Sequence, residues 1–178
     1  LVQVNGWRII YPMNNKTKRF TYLALLSAMA ITLNLIETAT IPPMFGVFRI
    51  GLANIIALVT IQVLGVKEMI IVNVMRVMIG NLMSGRIFGS SFWISFGGVL
   101  LSSIVLCIMH KLKASLMFTS VMSSIAHSIG QVCVVAFFYM TGYIAVILPY
   151  FLLLSIPTGL FTGFIAKIAS ERVKPLKK

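Results

Sequence analysis

The 178-residue chain is 59% hydrophobic and only 10% charged, with a mean hydropathy of +1.01. Water-soluble domains carry ~25% charged residues, so this composition cannot build a polar shell and a soluble fold is excluded; lipid as solvent removes the need for one. Fifteen Lys and Arg stand against three Glu and no Asp, a net charge of +12, but most lie in short stretches between apolar runs, which reads as membrane topology and not as nucleic-acid binding.

In chain order, Leu1–Pro12 is not an obvious membrane segment. Residues 1–17 read as a cytoplasmic N-terminal segment, in which Met13, followed by Asn-Asn-Lys-Thr-Lys-Arg, is a candidate true start that would make residues 1–12 a non-native extension. The run Phe20–Ile41 is too long for the apolar region of a signal peptide and no clear cleavage site follows, so it reads as an uncleaved first span, stopped by Pro42 and Pro43. A second span is expected over Phe48–Gly65 and a third over Glu68–Ser84, interrupted by Asn73, Arg76, Gly80 and Asn81. The fourth, fifth and sixth are expected over Phe92–Met109, Leu116–Phe138 and Tyr143–Ala169, the last holding Pro149 and Pro157. The expectation is an all-α polytopic bundle of six transmembrane helices over residues 18–170, followed by a basic cytoplasmic tail, 171–178.

The basic residues divide consistently with six spans. Lys16, Lys18, Arg19, Lys67, Lys111, Lys113, Lys167, Arg172, Lys174, Lys177 and Lys178 fall on one side, against Arg49 and Arg86 on the other. The bias places both termini in the cytoplasm, as in a multi-pass protein of the plasma membrane. Cys107 and Cys133 have no metal-ligand spacing and read as small buried residues. Ala24 and Ala28, Gly85 and Gly89, and Gly159 and Gly163 are each four apart, a spacing that either brings helices close or arises by chance in a Gly- and Ala-rich chain.

Polar groups inside a membrane are costly and mark candidate sites. With this topology they gather in the outer half: Glu37 late in the first span, Arg49 and Asn54 early in the second, Arg76 and Asn81 in the third. Arg86 and Ser95 follow around the outer loop, and His127 and Gln131 share a face of the fifth span at i,i+4. Three arginines against one glutamate leave positive charge to hold a carboxylate or phosphate through charge-assisted hydrogen bonds. Plainer readings stand beside this one. Arg76 pairs with Glu37 as a structural ion pair, Arg49 and Arg86 snorkel to headgroups, and His127 packs against a carbonyl. There is no Walker A sequence, no paired carboxylate and no Cys/His zinc spacing, and Glu37, Glu68 and Glu171 are too scattered for a multi-carboxylate Mg²⁺ site. The chain is therefore not expected to be an enzyme or to carry a metal or cofactor.

Four ordered strings, Arg49-Ile-Gly-Leu-Ala-Asn54, Arg76-Val-Met-Ile-Gly80, Gly97-Gly98 and His127-Ser-Ile-Gly-Gln131, resemble those of the Gx transporter family, often labelled heptaprenyl diphosphate synthase component I. That family is similar to the substrate-binding S components of energy-coupling-factor transporters. The resemblance covers about residues 18–169; Ser128 stands where the family pattern has Asn. It implies an S-component-like six-helix bundle with an outward-facing ligand site. It also implies docking through Ala24 and Ala28 onto a transmembrane coupling subunit driven by two cytoplasmic ATPase subunits. A vitamin-like or cofactor-like molecule, such as a flavin or an isoprenoid precursor, is then the expected ligand. The family label implies instead a membrane subunit for isoprenoid diphosphate synthesis. All-trans prenyl diphosphate synthases hold Mg²⁺ with Asp-rich motifs and this chain has no Asp, so that role would be accessory. A scaffold without a ligand is the third reading.

Overall fold

The computed structural model describes residues 15–40, 51–139 and 144–172. These form six helices: α1 (Asn15–Thr40), α2 (Ala53–Val63), α3 (Val66–Met83), α4 (Ser90–Lys111), α5 (Leu116–Tyr139) and α6 (Ile144–Arg172). The all-α expectation holds. Four segments, Lys16–Ala39, Ser90–Lys111, Leu116–Phe138 and Leu148–Arg172, are long and apolar enough to cross a membrane. Large side chains such as Phe137, Leu153 and Phe164 are more than half exposed. In water such surfaces drive association; in lipid they are the solvent-facing side of the protein.

The second expected span is shorter than its apolar run. Gly51 has φ +78°, a left-handed conformation suited to glycine, and its carbonyl accepts the Asn54 N–H at 2.8 Å, so the helix begins only at Ala53. Eleven residues rise ~16 Å, about half of a hydrocarbon core. Every residue of α2 except Gln62 is buried. It is an inner helix, its Ile56, Leu58 and Val59 packed with Ala30 of α1, Val72 of α3, Leu106 of α4 and Ala166 of α6. α3 has the length of a span, at 18 residues, but carries Lys67, Glu68 and Arg76.

The directions of the helices follow from their contacts. Arg19 of α1 donates to Glu68 of α3 near the start of both helices, and Asn34 meets Gly80 further along, so α1 and α3 run parallel. The short turn 84–89 makes α4 antiparallel to α3. Lys16, Lys18, Lys67 and Lys111 therefore share one end of the bundle, and Arg86 lies at the other. The Arg19–Glu68 ion pair is partly solvated, and such pairs are worth ~0–1 kcal/mol. Glu68→Gln is accordingly expected to shift thermal stability in detergent by less than about 1 kcal/mol; a larger loss would show that the pair is a principal clamp between α1 and α3.

Small residues set the closest helix approaches. A Cβ on Gly159 would stand 2.8 Å from Val121 Cα, and one on Gly163 2.8 Å from Ser120 Cβ, so this pair does seat α6 on α5. There Ser120 Oγ donates to Gly159 O at 2.7 Å and lies 3.0 Å from Thr162 Oγ1. Around Pro157 the Ser155 and Thr158 hydroxyls bond the carbonyls of Leu152 and Leu154, and α6 runs on as helix. Gly85 and Gly89 form no helix contact: both lie in the 84–89 turn, with open space beside Gly85 and φ +63° there as its reason for being glycine. Cys133 is exposed on α5, not buried.

Candidate functional site

The polar residues of four helices converge on one cavity. Glu37 of α1, Arg76 and Asn81 of α3, Ser95 of α4 and His127 of α5 line it, together with Asn34 and the backbone at Gly51. Each side chain comes from a helix whose apolar residues face lipid or core, so the polar positions are what these helices turn inward. Five of the nine residues expected from the sequence thus meet. The cavity sits toward the end of the bundle away from the lysines, since Glu37 and Asn81 are late in α1 and α3 while Ser95 is early in α4.

Arg76 is 3% exposed. Its Nη2 donates to Asn54 Oδ1 at 2.9 Å, so Asn54, a sixth expected residue, acts on the cavity by holding the guanidinium from α2. Glu37 Oε1 accepts the Gly51 N–H at 2.6 Å, a bond that fixes the carboxylate beside the start of α2. A charge-assisted bond of this kind is about twice as strong as a neutral one. Asn81 Nδ2 donates to Val77 O at 2.7 Å, and Ser95 Oγ donates to Ser91 O at 2.7 Å. Both side chains are thereby held against their own helices with lone pairs and one amide hydrogen left for other use.

His127 and Gln131 depend on a glycine step between α4 and α5. A Cβ on Gly98 would fall 2.9 Å from His127 Cε1 and from Gln131 Cγ. On the facing helix, a Cβ on Gly130 would fall 2.8 Å from Gly97 C and closer still to its carbonyl oxygen. The strings Gly97-Gly98 and His127-Ser-Ile-Gly-Gln131 are thus two halves of one contact. Glycines let the backbones touch so that the imidazole lies against α4 beside the cavity. Gln131 is fully buried in this seam, and among the described residues its amide has no hydrogen-bond partner. A buried polar group in that state costs ~1–3 kcal/mol.

One expected residue among those described, Arg86, is not brought in. Arg86 is exposed in the turn between α3 and α4, its backbone N–H bonded to Asn81 O at 2.9 Å, and its side chain does not line the cavity. Arg49 lies outside the described residues. Asn34 was not expected, although its place three residues before Glu37 puts both on one face of α1. Gly80 makes room for it, since a Cβ there would collide with Asn34 Nδ2. Ala24 and Ala28 are both exposed on α1, far from the cavity. Among the described residues no three His, Cys, Asp or Glu side chains group in a way that would hold a metal ion.

The free space in the cavity is about 20 Å³, room for about one water. A larger ligand enters only if the side chains or helices part. Beyond Val77 and Val99, which line both spaces, an apolar groove of about 350 Å³ opens between α3 and α4.

A family model described as heptaprenyl diphosphate synthase component I matches residues 26–169. No protein of curated function and no solved structure matches the chain.

Proposed function

The chain belongs to the heptaprenyl diphosphate synthase component I family, and on that footing we propose that it is a non-catalytic membrane subunit of prenyl diphosphate metabolism that holds an anionic ligand at Arg76. The observation that carries this reading is the buried arginine among hydrogen-bonding side chains from α1, α3, α4 and α5. A guanidinium kept from water is a strong partner for a phosphate group. With no Asp in the chain and three scattered Glu, binding Mg²⁺ and performing the chemistry fall to a soluble partner. The protein sits in the plasma membrane with both termini in the cytoplasm, as the distribution of Lys and Arg supports.

Capture of a small molecule for uptake, with a transmembrane coupling subunit and two ATPase subunits, is the second reading. Two observations favour it: the cavity lies at the end of the bundle away from the lysines, and Ala24 and Ala28 are exposed together on α1. Gentle affinity purification from native membranes followed by native mass spectrometry separates the two. A prenyl diphosphate and a soluble synthase subunit are the expected companions. Recovery of ATPase and coupling subunits with an unrelated small molecule would overturn the first reading in favour of the second.

A further inference from the structure

The cavity around Arg76 and the space beside it differ in chemistry. The cavity is polar and nearly filled. The groove between α3 and α4 is larger, about 350 Å³, at the lower end of the range of small-molecule sites. Its walls are apolar: Val74 and Met78 of α3 face Leu100 and Ile104 of α4. Asn73, fully buried, donates through Nδ2 to Ser103 Oγ at 2.8 Å, a bond that ties the two helices at the floor while the walls above stay apart. Along α4 the groove runs from Phe96 to Ile108, twelve residues or ~18 Å. Val77 and Val99 line both groove and cavity, and Val77 directly follows Arg76.

Phe96 belongs to an aromatic cluster with Phe92 and Trp93 at the start of α4; its ring stacks on Phe92 at 6.1 Å, and Trp93 is partly exposed. An exposed Trp near the start of a membrane helix sits at headgroup depth. The cavity end of the groove is thus toward that surface, and its far end, at Ile70 and Ile108, lies one turn from Lys67 and Lys111 at the other end of the bundle.

We propose that this groove seats the hydrocarbon chain of an amphiphilic ligand, a prenyl diphosphate, whose head is held at Arg76. The inference rests on the reading of the cavity as an anion site and adds to it where the chain goes. An anion without a chain uses the cavity alone; one with a chain is held along α3 and α4 as well. Entry is lateral, from the bilayer, and the head displaces Val77 and Val99 to reach the guanidinium. Leaving lipid for the groove brings no hydrophobic gain, because lipid tails are as apolar as the walls. The groove acts through packing and orientation.

The test uses the full chain in phosphatidylcholine nanodiscs with two probes, inorganic diphosphate and farnesyl diphosphate. Leu100→Trp and Val74→Phe fill the groove from opposite walls at positions that face lipid. Ile104→Phe stands in for either if its thermal stability falls. Both variants are expected to bind inorganic diphosphate within about twofold of wild type and farnesyl diphosphate about tenfold more weakly. Partition of the chain into lipid is the same for all proteins and cancels. If farnesyl diphosphate binding is unchanged while diphosphate still binds, or if both probes weaken equally in folded variants, the groove does not hold the chain and the anion site survives. If wild type binds neither probe, both readings fall.

Discussion

Gly130→Ala is expected to destabilise the protein by about 3 kcal/mol or more, the upper end of what overpacking costs. The new methyl would meet the backbone of Gly97, at 2.8 Å from its C and nearer to its oxygen, and would stand 2.9 Å from Gly98 Cα. These are atoms of a helix, and no rotamer relieves them. α4 and α5 would have to separate along one of the most extensive contacts in the bundle, and His127 and Gln131 would lose their places against Gly98. Thermal unfolding in detergent, followed by gel filtration, measures the loss. Gly89→Ala is the control, since its nearest neighbour is Arg86 O at 3.4 Å and it lies outside the helices. A Gly130→Ala protein as stable as wild type would mean that α4 and α5 do not touch here.

Arg76→Gln is expected to weaken binding of inorganic diphosphate by about 100-fold, in keeping with ~1.5–3 kcal/mol for a hydrogen bond to a charged group. The glutamine keeps a polar head of similar reach and can still donate to Asn54, so the bundle should remain folded. What disappears is the positive charge and the planar fork that meets two oxygens at once. Arg76→Lys, which keeps charge without the fork, should fall between. Equilibrium binding in nanodiscs gives the affinities, and thermal unfolding of the same samples separates a lost site from a lost fold. Wild-type affinity in a folded Arg76→Gln protein would remove Arg76 from the site and the anion reading with it.

How much of this was legible in the sequence depends on what each feature rests on. The number of helices followed from apolar runs and the distribution of Lys and Arg, both local properties. Five cavity residues were found because a polar group in a membrane helix has few places to go. The length of α2 was not readable from hydropathy, because a single left-handed glycine, Gly51, cuts an apolar run that continues through it. Arg86 looked equivalent to Arg76 by charge and side of the membrane. Only the structure shows that it lies exposed in the turn at 84–89 and does not line the cavity. The meaning of Gly97, Gly98 and Gly130 also lay in a partner helix thirty residues off. The groove between α3 and α4 has no signature at all, since it is a distance between helices and not a pattern along one.

The buried 11-residue α2 also constrains how the protein is made. A segment of ~16 Å cannot hold itself across a bilayer, and its surface is matched to α1, α3 and α6. α6 leaves the ribosome after α1 to α5, and Ala166 is part of the wall against which α2 packs. During synthesis α2 is therefore without part of its packing surface until α6 arrives. A chain cut before α6 would leave α2 without one of the helices it packs against.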